Sequence, residues 1–355
     1  MSTSPAATPA KRLGFFRFWL PVLIVIVSAA WLGYVWLLMP EEISFGDRVG
    51  KTFGTTMTTI PALGVWFLFW GPGRWYARLL LLALIPCALI GTVSTIRFNG
   101  DMVPSEVRFR WQTTPEDVLD AYTRQQNLGA RPIQVEAAKA SPTDFPEYRG
   151  SKRDGIIDGP ALSRDWKTKP PKELWKHPAG GGYAQVSVAG NLAVTIEQRR
   201  ENEAVVAYDV HTGKEVWKHE YPTHFREPLG GPGPRATPTI ADGKIYSLGA
   251  NGALVCLDLA TGKPDWTVNI LKDNHNIQWG MSGSPLVYDR FVVVNPGAQT
   301  EAAKGGALVA YNRQTHEVTW KSGTTKAGYS SPMLATLAGK EQILLLDAEI
   351  LAGYD

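Results

Sequence analysis

Cysteine is nearly absent, with two residues in a chain of 355, and this excludes a disulfide-built scaffold. Neither cysteine sits in a lipobox, and no two are adjacent. A strong charge balance is missing too: 36 Lys and Arg against 33 Asp and Glu leave +3, too little to predict a nucleic-acid partner. No G-x-x-x-x-G-K phosphate loop, H-E-x-x-H zinc motif or G-x-S-x-G nucleophile elbow occurs. From residue 175 onward, helical periodicity is lacking over any eleven-residue window. Gly and Pro, at 35 and 25, are abundant but stay below the range of disordered chains.

What is present divides the chain in two. Residues 1–99 carry eight Lys and Arg against three Asp and Glu; the remainder carries 28 against 30. In the basic part, Phe18 to Met39 is a run of 22 uncharged residues, enough for a hydrocarbon core that needs about 20. It is too long for a signal peptide, and Trp36, Leu37, Leu38 and Met39 stand where a peptidase requires small side chains. Thr52–Trp70 and Leu79–Ile96 are two further runs. Three spans place Lys11, Arg12 and Arg17, then Arg74 and Arg78, on the inner side and the body outside, as the positive-inside rule requires. A re-entrant 52–70 is the alternative, and it would return the body to the cytoplasm. No charged residue or His lies within the runs, so they read as an anchor rather than an ion path.

Residues 1–17 are thus expected as a cytoplasmic tail, 18–99 as a three-span anchor in a cytoplasmic (inner) membrane, and 100–170 as an extracytoplasmic linker. Thr114-Pro115-Glu116-Asp117 predicts a helix start, with the helix running over roughly 114–127. Within the linker, EYRGSKRDG (147–155) reads as a structural latch or, from its Arg and Gly density, as an anion site.

Beyond residue 171 the chain repeats itself. AVVAYDVHTGKEVW, ALVCLDLATGKPDW and ALVAYNRQTHEVTW align, and ILAGYD begins a fourth unit. Asp209, Asp258, Asn312 and Asp355 share one column, at intervals of 49, 54 and 43 residues. That period, with strand-type composition, predicts propeller blades of four strands. In the turn, Asp accepts backbone N–H bonds, Gly213 and Gly262 supply a left-handed backbone, and Trp217, Trp266 and Trp320 pack between successive sheets. His316 replaces the third Gly and reads as a turn variant. Cys256, between Val255 and Leu257, reads as a packing thiol.

The A-x-D-x-x-T-G-x-x-x-W repeat resembles the PQQ-like (quinoprotein/BamB-type) eight-bladed β-propeller family over about residues 145–355, and the EYRGSKRDG lead-in is similar to that of membrane-anchored bacterial members. The resemblance implies an all-β propeller, about four of eight blades present, in residues 171–355. It also implies that the chain is an incomplete copy, because it stops inside a strand. Family dehydrogenases use an adjacent Cys pair, a calcium set and a catalytic Asp; the Cys pair is missing here. The expectation is therefore a non-catalytic scaffold binding extracytoplasmic proteins or peptides, without cofactor or metal. The alternative is a membrane-bound alcohol or sugar dehydrogenase using pyrroloquinoline quinone and calcium. The axis-facing segments before each first strand hold His224, Arg226, Arg235, His275, Trp279 and Tyr329. Of these, Arg235 and Trp279 suit a planar anion by charge and stacking, or else tie down backbone carbonyls and plug the axis. Asp273, Asn274 and Asn276 form a looser cation-site reading.

Overall fold

The computed structural model describes residues 10–40, 43, 45–98, 104–127, 144–156, 162–227 and 229–355. The chain divides into two compact units, Met1–Gln112 and Thr113–Asp355. The tail up to residue 9 and the linker stretches 128–143 and 157–161 lie outside the described residues.

The first unit is built on three helices: α1 (Ala10–Gly33), continued by a π-helical stretch at Tyr34–Leu38, α2 (Phe45–Trp70) and α3 (Trp75–Thr92). Three segments, Arg17–Leu38, Asp47–Trp70 and Trp75–Thr92, are long and apolar enough to cross a membrane. The 52–70 stretch lies wholly inside α2, whose 26 residues make about 39 Å of helix. Its threonines hide their hydroxyls by donating to carbonyls one turn back, as Thr55 does to Lys51 O at 2.7 Å and Thr56 to Thr52 O at 2.9 Å. Ser28 and Thr59 share a hydroxyl bond between α1 and α2.

The third apolar helix differs from the span expected over Leu79–Ile96. The helix stops at Thr92, and Val93 opens β1 (Val93–Phe98), antiparallel to β2 (Pro104–Phe109). Val93, Thr95 and Ile96 are β-branched and favour a strand over a helix. The expected boundary at 99/100 therefore falls between the two strands of one hairpin.

The second unit opens with α4 (Pro115–Asn127). Thr114 and Asp117 cap it reciprocally: Asp117 N–H donates to Thr114 Oγ1 at 3.1 Å, and Thr114 N–H to Asp117 Oδ2 at 3.2 Å. Four antiparallel sheets follow, each ordered as in the chain. The first holds β3 (Ser187–Ala189), β4 (Leu192–Arg199), β5 (Asn202–Asp209) and β6 (Glu215–Pro222). A small hairpin, β7 (Arg226–Glu227) with β8 (Gly231–Pro232), leads to the second. The second sheet holds β9 (Thr239–Ala241), β10 (Lys244–Leu248), β11 (Ala253–Asp258) and β12 (Pro264–Asn269). The third holds β13 (Leu286–Tyr288), β14 (Phe291–Val294), β15 (Leu308–Asn312) and β16 (Val318–Ser322). The fourth has three strands, β17 (Met333–Leu337), β18 (Lys340–Leu346) and β19 (Leu351–Tyr354).

The core lies between the sheets. Side chains alternate across a strand, so β11 sends Val255 and Leu257 towards the first sheet and Leu254 and Cys256 towards the third. Both faces are dry, which is why ALVCL is continuously apolar. Leu286, Val293 and Leu308 of the third sheet pack with Ile343 and Leu345 of the fourth. The first strands touch, β3 with β9 and β9 with β13.

The repeated turn explains the repeated residues. Asp209 Oδ1 accepts from Thr212 N–H at 2.8 Å, and Asp258 Oδ1 from Thr261 N–H at 3.0 Å. Asn312 Oδ1 does the same for Thr315 N–H at 3.1 Å. Gly213, Gly262 and His316 follow in the left-handed region, at φ 67°, 66° and 53°. The ring of Trp217 lies against Gly262, where a Cβ would collide with it, and its Nε1–H donates to Leu259 O at 3.0 Å. Trp266 makes the equivalent bond to Arg313 O at 3.0 Å and meets His316 ring to ring, with centroids 6.1 Å apart. In the three complete sheets the Trp pairs across from Ala207, Cys256 and Ala310, so Trp217, Trp266 and Trp320 hold one register.

Candidate functional site

The segments that enter each first strand converge through a relay of backbone bonds. Gln185 N–H donates to Thr237 Oγ1 at 3.1 Å, Thr237 N–H to Ser284 Oγ at 2.8 Å, and Ser284 N–H to Ser331 Oγ at 2.9 Å. Each sheet thus hands one donor to a hydroxyl of the next. This fixes where the residues just ahead of the relay, Tyr183, Arg235, Ser282 and Tyr329, are displayed.

Arg235 is half-buried. Its guanidinium donates to the carbonyls of Gly233 and Gly231 and faces two rings, Phe225 with its centroid at 4.8 Å and Tyr183 at 5.5 Å. Burial lowers its pKa, against the pull of Tyr183, Glu227, Glu203 and Tyr329. Trp279 does not share that cradle: its ring lies beside Tyr329, with centroids 5.5 Å apart. Tyr183, Trp279 and Tyr329 are 66%, 44% and 47% exposed, so the entry end shows aromatic rings to solvent around a partly sunk cation. Of the other expected residues, His224 stands by Glu201 at 3.4 Å, and Arg226 and His275 are exposed. Asn274 is spent on the carbonyls of Pro296 and Gly297, both at 2.8 Å, and Asn276 on Ala250 O at 2.9 Å.

Glu203 escaped the sequence reading. It is fully buried, accepts from Ala250 N–H at 2.9 Å and from Tyr221 O–H at 2.9 Å, and crowds Gly249 so closely that a Cβ there would overlap its carboxylate. Burial pushes its pKa up, and burial also raises the Tyr221 phenol. Its signal was a carboxylate in the apolar strand NEAVVAYD, a place where an unpaired acid is costly. Cys256 is buried, with its thiol pushed up to about 11 by burial, the environment of an unreactive packing residue.

The lead-in supplies a third feature. Arg153, 4% exposed, pairs with Glu147 at 2.6 Å. It reaches the carbonyls of Ser284, Pro285 and Pro332 and the hydroxyl of Thr239. One guanidinium thus ties β9 to the segments that enter β13 and β17, which is the latch form of the EYRGSKRDG expectation. Its donors are filled by protein carbonyls, not left open for an anion.

Among the described residues no three His, Cys, Asp or Glu side chains gather to hold a metal ion. Glu227, whose charge acts on Arg235, accepts the N–H groups of Leu229 and Gly230.

Comparison with known proteins agrees with the repeat. The family model described as outer membrane protein assembly factor BamB matches residues 201–355. The outer membrane protein assembly factor BamB of Xanthomonas campestris pv. campestris is 30% identical over 93 residues, 25% of this chain and 21% of that protein. The match therefore spans about a fifth of that relative's length. Among solved structures, a europium-containing methanol dehydrogenase is 16% identical, with 52% of this chain and 43% of the other covered at a TM-score of 0.37. BamB from Moraxella catarrhalis is 17% identical, with 47% and 60% covered at a TM-score of 0.24. The turn, the tryptophan seats and the family match converge: residues 201–355 are a PQQ-like repeat domain of the BamB type.

Proposed function

We propose that this chain is a membrane-anchored, extracytoplasmic, non-catalytic scaffold whose sheets are blades of a propeller and bind proteins or extended peptides. The carrying observation is the solvent-facing aromatic end, with Tyr183, Trp279 and Tyr329 around Arg235. Tyr, Trp and Arg are the side chains enriched where protein interfaces concentrate their energy. The radial arrangement is supported by the touching first strands and by the repeated passage of each Trp onto the next sheet. The anchor is supported by the three apolar helices, and the outward side of the repeat by Lys11, Arg12, Arg17, Arg74 and Arg78. The name of the Xanthomonas relative, an assembly factor, accords with a role in binding other proteins.

A planar anionic quinone is the second reading, favoured by the cation–ring pairing of Arg235 with Phe225 and Tyr183. One experiment separates the two. The full chain in detergent is titrated with fluorescent extended peptides and, separately, with pyrroloquinoline quinone and calcium while alcohol-dependent dye reduction is followed. Saturable peptide binding weakened about tenfold or more by Trp279→Ala is expected, with no turnover. Saturable alcohol-dependent turnover would reverse the assignment.

A further inference from the structure

The connection between the second and third strands of a sheet runs over 200–201 in the first sheet and 249–252 in the second, but over 295–307 in the third. Connections of that length within a compact fold are usually functional. This one is fastened to the turn that follows β12. Asn274 Nδ2–H donates to Pro296 O and Gly297 O, both at 2.8 Å, and to Gln299 Oε1 at 3.1 Å. In return, Gln299 Nε2–H donates to His275 O at 3.1 Å, and Thr300 Oγ1–H to Asp273 O at 2.6 Å. The added chain is therefore a fixed roof joining the second sheet to the third.

Ala303 and Gly306 of that roof line a cavity of about 360 Å³. Its apolar walls are Val268 and Ile270 on the side of the second sheet, and Val309, Tyr311 and Val318 on the side of the third. Small-molecule sites have this character: preformed, mostly apolar, with a few polar groups that fix orientation. Three such groups are present. Lys272 and Lys321 line the cavity, are exposed, and make no ion pair among the described residues. Asp273 is the one carboxylate in the lining, so the balance is positive. The Tyr311 hydroxyl makes no hydrogen bond among the described residues. Burial, helped by the Asp273 carboxylate, raises its pKa, so it stays a neutral donor.

We propose that this roofed cavity between the second and third sheets binds a small carboxylate with an apolar body about the size of one aromatic ring. The body packs on Val268, Ile270, Val309 and Val318. The carboxylate takes charge-assisted hydrogen bonds from Lys272 and Lys321, with Tyr311 as a further donor. The site lies apart from the aromatic end around Arg235 and does not rest on the scaffold reading.

The full chain in a non-ionic detergent is titrated with 4-(trifluoromethyl)benzoate and followed by fluorine NMR, with protein-free micelles as the baseline. Saturable binding beyond the micelle signal is expected. Val318→Trp, at a position 43% exposed on β16, fills the cavity without entering the core and should abolish binding at an unchanged unfolding midpoint. Lys272→Met with Lys321→Met should weaken binding about tenfold or more, as should replacing the probe by 4-(trifluoromethyl)benzyl alcohol, which has no charge. Trp279→Ala should leave the titration as it is. The proposal is overturned by a parent protein that adds nothing to the micelle signal, by unchanged affinity in Val318→Trp or the double lysine variant, by equal affinity for the neutral alcohol, or by loss of binding in Trp279→Ala. None of these results bears on whether peptides bind at the aromatic end, which the peptide titration above tests separately.

Discussion

At the scale of the residue, the repeated chemistry of the turn converts directly into energies. Trp217 is partly buried, stacks on Gly262 and donates to Leu259 O. Trp217→Ala should cost about 2–3 kcal/mol, below the range for a fully buried ring. Trp217→Phe, which keeps most of the packing and loses the donor, should cost about 1 kcal/mol. Denaturant unfolding midpoints check both. Gly262→Ala should lose about 1–2 kcal/mol from left-handed backbone alone, before the ring is displaced. Glu203 makes a pH prediction. Burial raises its folded pKa above the usual 4.5, so the folded state holds the proton more tightly than the unfolded one. Its contribution is most favourable below about 4.5 and declines as pH rises to the higher folded value. Relative to Glu203→Gln, the parent protein should therefore lose stability across the window above 4.5, measured by unfolding at several pH values. A difference that stays flat with pH would refute this. The Asp–Gly–Trp logic was legible because each part acts within a short stretch of sequence. Glu203 was not, since its partners Tyr221 and Ala250 are 18 and 47 residues away.

At the scale of the element, the lead-in behaves as a strap drawn under the sheets. Arg153→Met removes the cation that ties the Thr239 hydroxyl to the carbonyls of Ser284, Pro285 and Pro332, and leaves Glu147 partly buried beside an apolar group. Breaking a buried pair in this way should cost about 3–5 kcal/mol. Limited proteolysis should then cut around residues 147–155 faster than in the parent protein. Unchanged proteolysis with an unchanged unfolding midpoint would show that the strap is passive. Sequence reading located this strap, but which arginine turned inward was decided by the sheets, because only Arg153 meets the converging carbonyls. Helix α4 was legible at nearly its true limits, since capping residues act locally. The end of α3 was not: apolar character alone runs through Ile96, while pairing with β2 claims Val93 onward.

At the scale of the whole molecule, the number of membrane crossings sets the side on which the repeat domain stands. A periplasm-active reporter fused after Gln112 should be active if all three apolar helices cross and the two basic segments lie inside, as the positive-inside rule predicts. A fusion active only in the cytoplasm would remove one crossing from the assignment. The same experiment decides whether the aromatic end around Arg235 faces extracytoplasmic partners.

The sequence by itself determined the apolar helices, the four-strand period, the turn and its tryptophans. All of these depend on neighbours within one strand, turn or helix, where residue type and spacing dictate the outcome. Only the tertiary structure decided that Arg235 is drawn to its own loop carbonyls while Trp279 pairs with Tyr329, and that Arg153 ties β9 to the segments that enter β13 and β17. It alone showed that Trp175 docks on Val210 and Gly213. Those contacts join segments far apart in the chain, and the backbone positions that create them exist only once the sheets have stacked.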